Sequence, residues 1–208
     1  MSAPRTATID IDALAWARQD GLLPAIVQDA ATLRVLMLGY MDREALAATV
    51  EGGRVTFYSR SRRRQWCKGE TSGHWLELVS IEADCDGDTL LVVARAHGPT
   101  CHLGRCSCFA HAPGDPVGAL DALVAARIAA PSIGYTDRLL ASGIARIAQK
   151  VGEEGVETAL AAVAGEQAAL RGEAADLVYH LVVALRARGL SLDDLRGELA
   201  RRAGPGDN

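Results

Sequence analysis

Apolar and polar positions alternate in short runs through the first half of the chain, and a 3.6-residue period takes over in the second. Ile9–Arg18 reads as a short helix. Ala25–Gln28 and Leu33–Leu38 read as strands flanking a turn at Asp29–Thr32. Asp42 is placed to cap a helix running to Glu51, which Gly52-Gly53 ends. Val55–Ser59, Trp75–Ala83 and Thr89–Ala96 are β-rich, and Asp86-Gly87 between the last two is a hairpin signal. His111–Gly118 (HAPGDPVG) reads as a linker, after which strand signals stop. Leu120–Ala130, Arg138–Val163, Gly165–Arg188 and Leu192–Arg202 read as helices, with Leu140, Ile144, Ile147 and Val151 on one apolar stripe. The pattern predicts an α+β, mainly β, domain over residues 1–110, a linker at 111–118 and an all-α domain over 119–208.

Composition narrows the setting. A length of 208 residues suffices for one large or two small cores. The formal net charge of −4 offers no general field for nucleic acid or anionic membrane. The beginning of the chain lacks the apolar run of a signal peptide. No apolar stretch reaches the roughly 18 residues of a membrane span; the richest, Leu177–Leu185, is interrupted by His180. A cytoplasmic protein is expected. All five cysteines lie between Cys67 and Cys108, which in a reducing compartment favours metal over disulfide.

Two groups of residues in the first half carry chemistry. Asp84-Cys85-Asp86-Gly87-Asp88 crowds three carboxylates and a thiol, an arrangement that a cation relieves, although Asp-Gly is also plain turn chemistry. Carboxylates suit Mg²⁺ and thiolates suit Zn²⁺. Cys85, Cys101 and Cys108 supply three thiols, one short of a closed zinc site. An open fourth position would hold water whose pKa falls to roughly 7; Cys106 would instead close the site and make it structural. His102 is a candidate general base. Upstream, the arginine run from Arg60 to Arg64 is either a solvated surface or, with Trp66, Lys68, Glu70 and Ser72 beside it, a phosphate- and base-binding loop.

LPAIVQDA, VLMLGYM, FYSRSR, WCKGETSGH, DCDGD, GPTCH and SCF, in this order, resemble phosphoribosyl-AMP cyclohydrolase over about residues 20–110. The resemblance implies opening of an adenine ring between N1 and C6 by a zinc-bound hydroxide. It implies zinc on Cys85, Cys101 and Cys108, drawn from both subunits of a homodimer, and magnesium on Asp84, Asp86 and Asp88. His102 would move protons, and Arg60, Arg62, Trp66, Lys68, Glu70 and Ser72 would contact substrate. Cys67 and Cys106 fall outside that pattern.

In the helical half, Glu153, Glu154 and Glu157 interrupt an apolar helix, and Glu154 continues the stripe from Ile147 and Val151. Glu173 and Asp176 follow at i, i+3, with His180 a turn beyond. Two antiparallel helices would gather these acids round Mg²⁺; the alternative is surface acids paired with Lys150, Arg146 or Arg171. YTDRLLASGIARIAQKVGEEGVE followed by EAADLVYHLVVAL resembles phosphoribosyl-ATP pyrophosphohydrolase over about residues 120–200. That implies Mg²⁺-assisted release of pyrophosphate, with metal on Glu153, Glu154, Glu157, Glu173 and Asp176. Gly155 stands where the family has alanine. A bifunctional hydrolase of histidine biosynthesis is therefore expected, acting on phosphoribosyl nucleotides. A zinc nucleobase deaminase fits poorly, since none of the five histidines begins a His-x-Glu. A nucleotide-sensing module with a closed structural zinc is the non-enzymatic alternative.

Overall fold

The computed structural model describes residues 9–203, so the outer ends of the two expected domains, residues 1–8 and 204–208, lie outside it. The chain divides into two compact units, Met1–Asp115 and Pro116–Asn208. Among the described residues the first is strand-rich and the regular elements of the second are all helices, the α+β and all-α classes that the hydrophobic pattern predicts.

The first unit is built on a four-stranded sheet of order β2-β1-β6-β5. Its strands are β1 (Leu23–Asp29), β2 (Val35–Met41), β5 (Trp75–Ala83) and β6 (Leu90–His97). β1 pairs antiparallel with β2 and parallel with β6, and β6 pairs antiparallel with β5. Alternation buries Leu23, Ala25 and Val27 of β1 beside Leu90, Val92 and Ala94 of β6. Helix α1 (Arg43–Gly52) adds Ala45 and Leu46 to that face. Its start is the Asp42 cap, which accepts from the Ala45 amide at 2.7 Å, and its end is Gly53 at φ +65°. The hairpin β3 (Thr56–Ser59) and β4 (Arg64–Cys67) contributes the fully buried Phe57.

Several expected elements shift for identifiable reasons. The helix predicted over Ile9–Arg18 is instead two 3₁₀ turns, Ile11–Ala13 and Trp16–Gln19. Here tertiary contact wins over local period: Trp16 is buried, and the Ala15 amide bonds the Gly87 carbonyl at 2.9 Å. Leu33 lies outside β2, at φ +57°, because the Asp29 carboxylate holds Thr32 in a turn at 2.6 and 2.9 Å. Strand β4 falls inside the arginine-rich stretch read as a loop, since only its cross-strand partners reveal it.

The second unit contains α2 (Pro116–Ala129), α3 (Tyr135–Ala141), α4 (Ile144–Ala164), α5 (Gln167–Ala187) and α6 (Leu192–Arg202). The linker read over 111–118 is shorter than expected, because Pro116 opens α2 with the backbone angle a first helical turn needs. The single helix expected over Arg138–Val163 breaks at Ser142-Gly143: Gly143 sits at φ +84°, and the Ser142 hydroxyl bonds the Leu139 carbonyl at 2.7 Å. Val124, Leu139, Ile147, Val182 and Val183 form the core. Asp121 of α2 accepts a forked ion pair from Arg186 of α5. Two residues join α4 to α5, forcing an antiparallel pair that brings their inner faces together.

Two glycines give opposite predictions. A Cβ on Gly39 would lie 2.3 Å from the buried Phe57 ring. Gly39→Ala is therefore expected to cost about 1–3 kcal/mol in chemical denaturation, with part recovered when Phe57→Leu is added. On Gly155, within α4, a Cβ would meet only Leu177 at 4.0 Å. Gly155→Ala is expected to gain roughly 0.5–1 kcal/mol in the same assay.

Candidate functional sites

The first unit carries a cavity of about 520 Å³ beside β2, lined by Met37, Trp66, Lys68, Ser72, His74, Pro99, Thr100, Cys101, His102, Gly104 and Cys108. Three segments build it. Hairpin pairing of Phe57 with Trp66 presents Trp66 and leads the chain into Lys68. The segment after β6 brings Cys101, whose amide bonds the Arg105 carbonyl at 2.9 Å. Cys108 is tied to β2 by its amide on the Leu36 carbonyl at 2.8 Å, and the neighbouring buried Ser107 hydroxyl bonds the Val35 carbonyl at 2.8 Å.

Cys101 and Cys108 lie in contact, and their thiols are shifted in opposite directions. The Leu103 amide, helped by the Arg105 guanidinium, holds the Cys101 thiol below the ordinary range. Burial and the neighbouring Cys101 push the Cys108 thiol up. Burial likewise pulls the Lys68 ammonium down, against the attraction of both sulfurs. An ammonium beside two sulfurs is chemically matched to a thiolate pair.

The third expected thiol is elsewhere. Cys85 is exposed in the turn between β5 and β6, and among the described residues it is not gathered with Cys101 and Cys108 within one chain. That same turn gathers Asp84, Asp86 and Asp88, whose oxygens lie within 4.8 Å of one another. Burial opposes ionisation of Asp84, but the amides of Thr89 and Asp88 keep its carboxyl below the usual range. Arg18 reaches Asp86 at 3.0 Å.

Of the expected substrate contacts, Trp66, Lys68 and Ser72 line the cavity with His102. Arg60 lies over the Tyr40 ring at 3.9 Å, Arg62 is exposed in the β3–β4 turn, and Glu70 pairs with Arg64 at 3.0 Å; none of the three lines it. Cys106 is also outside, held by Arg34 at 3.0 Å. Sequence reading missed His74 and Thr100, because a single histidine in a glycine-rich loop carries no spacing signal.

In the second unit Glu154 and Glu157 of α4 come together with Glu173 of α5, oxygens again within 4.8 Å. Glu154 is buried and bonded to Lys150 at 2.8 Å, which outweighs desolvation and holds its carboxyl low. Partial desolvation and the charges of Glu154 and Glu173 push the Glu157 carboxyl up. Lys150 is pushed up by the carboxylates of Glu154 and Glu153. Glu153 turns away from the cluster to Lys150 at 2.9 Å, Gln149 at 2.7 Å and Arg146 at 3.5 Å. A cavity of about 410 Å³ adjoins, lined by Tyr135, Lys150, Glu154, Asp176, Tyr179 and His180. The buried His180 ring bonds the Asp176 carbonyl through Nδ1 at 2.9 Å and the Tyr135 hydroxyl through Nε2 at 3.1 Å. Its signal was a lone polar residue in the most apolar run of the helix. Tyr135 and Tyr179 had none.

Comparison with known proteins agrees with this layout. The phosphoribosyl-AMP cyclohydrolase family model matches residues 37–110, and the phosphoribosyl-ATP pyrophosphohydrolase model matches residues 117–203. A histidine biosynthesis bifunctional protein HisIE of Xylella fastidiosa is 64% identical over 192 residues, covering 92% of this chain and 93% of the relative. Proteins of the same description from Xanthomonas campestris and Yersinia pestis are 63% and 52% identical. These matches cover 93% and 92% of the chain, and 95% and 96% of the relatives. The chain belongs to the HisIE family of bifunctional histidine-biosynthesis proteins, its cyclohydrolase half preceding its pyrophosphohydrolase half.

Proposed function

We propose that the helical cavity releases pyrophosphate from phosphoribosyl-ATP and that the thiol-lined cavity then opens the ring of the phosphoribosyl-AMP so formed, between N1 and C6. The chain is a bifunctional hydrolase of histidine biosynthesis. The observation that carries the division of labour is the contrast in donor chemistry: a thiol pair in one unit, a buried carboxylate cluster in the other.

The donors fit the metals. Cys101 and Cys108 would hold zinc, with Cys85 supplied by a second copy of the chain in a homodimer, a reading that the separation of that thiol from the pair within one chain supports. Zinc supplies a water acidic enough to be ionised near neutral pH. His102, next in sequence to Cys101, takes the proton of the attacking water, while Trp66 stacks on the base and Lys68 and Ser72 hold polar groups of the substrate. Asp84, Asp86 and Asp88 would hold magnesium. In the helical unit Glu154, Glu157, Glu173 and Asp176 would hold magnesium, which neutralises the polyphosphate. Glu153 orients Lys150 rather than joining the ligands. Five free cysteines fit a reducing cytoplasm.

Two outcomes test the reading. Cys101→Ser should remove zinc and ring opening by at least about a hundredfold while pyrophosphate release stays intact; Glu154→Gln should do the reverse. Loss of both activities in either variant would contradict two separate sites. The acid cluster also has a pH signature. Because the folded protein raises the Glu157 pKa, it binds that proton more tightly than the unfolded chain, so its stability is lost as pH rises through the elevated value. Glu157→Gln is therefore expected to raise the melting temperature of the metal-free protein at neutral pH and to abolish the rise that Mg²⁺ gives the native chain.

A further inference from the structure

His74 is the one titratable side chain in the thiol-lined cavity to which the roles above give no task. Its placement is enforced from two directions. Gly69, at φ +88°, would carry a Cβ 2.6 Å from the His74 carbonyl group, and Gly98, at φ +98°, would carry one 2.1 Å from its Nδ1. Positive φ alone would select glycine at each position. That both missing side chains leave room for the same residue, one for its backbone and one for its ring, is a separate fact. The main chain is anchored as well: Lys68 Nζ donates to the His74 carbonyl at 3.2 Å, and the His74 amide donates to the Ser72 hydroxyl at 3.3 Å. The ring is left unengaged. Among the described residues neither of its nitrogens has a hydrogen-bond partner.

A positioned imidazole with Nδ1 packed against Gly98 and Nε2 without a hydrogen-bond partner among the described residues, half-buried in a reaction cavity, is suited to proton transfer. Hydrolytic ring opening needs two such transfers. One proton must leave the attacking water, and another must reach the ring nitrogen as it departs. His102 lies beside Cys101 in sequence and serves the first; His74 enters the cavity from the separate loop after β4. We propose that His74 is the general acid that protonates N1 as the C6–N1 bond breaks, an inference that rests on ring opening taking place in this cavity. The water oxygen bonds to C6, and one of its protons passes by way of His102 to the exocyclic nitrogen, which becomes the amide nitrogen. The C6–N1 bond then breaks with its electron pair remaining on N1, and N1 takes the proton of the His74 imidazolium. The proton shed as the C6 hydroxyl becomes a carbonyl restores His74 through solvent. The charged and titratable groups sharing the cavity with His74 are the Lys68 ammonium, the His102 imidazole and the thiols of Cys101 and Cys108.

The test uses the full-length, zinc-loaded protein and phosphoribosyl-AMP. His74→Gln is expected to lower kcat by about 10²–10⁴ with KM little changed and zinc content equal to that of the native chain. The alkaline limb of the native kcat profile should disappear with it. Gly98→Ala, which keeps the imidazole but displaces it, should lower kcat by roughly tenfold. In proton NMR of the native chain, the imidazole resonance absent from His74→Gln should shift when the ring-opened product is added. An unchanged far-ultraviolet circular dichroism spectrum and chemical denaturation midpoint show that each variant is folded, and unchanged pyrophosphate release shows that the separate helical site is untouched. Retention of the alkaline limb, an unmoved resonance, or loss of zinc from His74→Gln would each overturn the role. A native chain that releases pyrophosphate but opens no ring would overturn the reading of the cavity itself, and this inference with it.

Discussion

Anionic donor atoms held within a few ångströms of one another repel, and both halves of the chain are organised around that cost. Each cluster is met by a cation that the protein itself provides. Lys68 and Arg105 lie against the Cys101–Cys108 pair, Arg18 reaches Asp86, and Lys150 binds Glu154. In the two acid clusters the cation named faces three carboxylates. The neighbours diverge for local reasons: the Leu103 amide holds the Cys101 thiol low while burial pushes Cys108 up, and Lys150 holds Glu154 low while desolvation and adjacent carboxylates push Glu157 up. A site that is tolerable without metal but not fully neutralised is what a divalent ion can enter.

The two units meet this requirement with different backbone devices. In the first, the acids sit on the turn joining two antiparallel strands, and the thiols on a looped segment pinned to β2 by Ser107 and Cys108. Loops can aim main-chain amides at the same point as side chains, and Asp84 uses two such amides. In the second, an antiparallel helix pair presents Glu154, Glu157 and Glu173 from its facing sides, and regular helix geometry sets their spacing. Carboxylates reach far enough from a helix to converge without any loop. The thiol site needs the loop because cysteine is short.

Conformation at a few residues decides how well each cavity is shaped. Gly69 and Gly98 clear the space for His74, while Gly143 divides the long helical period into α3 and α4. The break leaves Tyr135 on a separate short helix, from which its hydroxyl meets His180 at 3.1 Å. An uninterrupted helix would have kept the stripe from Leu140 to Val151 on one rod.

Local pattern was enough to reveal the two-part architecture, the sheet strands with alternating faces, the Asp42 cap, and the acidic residues themselves. Those features follow from nearest-neighbour geometry: a pleat repeats every two residues, a helix every 3.6, and crowded charge is visible as spelling. The pairing of Glu153 with Lys150 and Arg146 was legible only as one of two alternatives, whereas strand β4 and the 3₁₀ turns round Trp16 were not legible, because each depends on residues distant in sequence. The same holds for His74, Thr100, Tyr135 and Tyr179, ordinary residues until folding puts them on a cavity wall. The chain's order thus names the donors, while tertiary structure chooses among them: it joins Cys101 to Cys108 and leaves Cys85 apart, and it gathers Glu157 with Glu154 while turning Glu153 away. The physical reason is that a ligand set is defined by distances between atoms on different elements, which only packing determines.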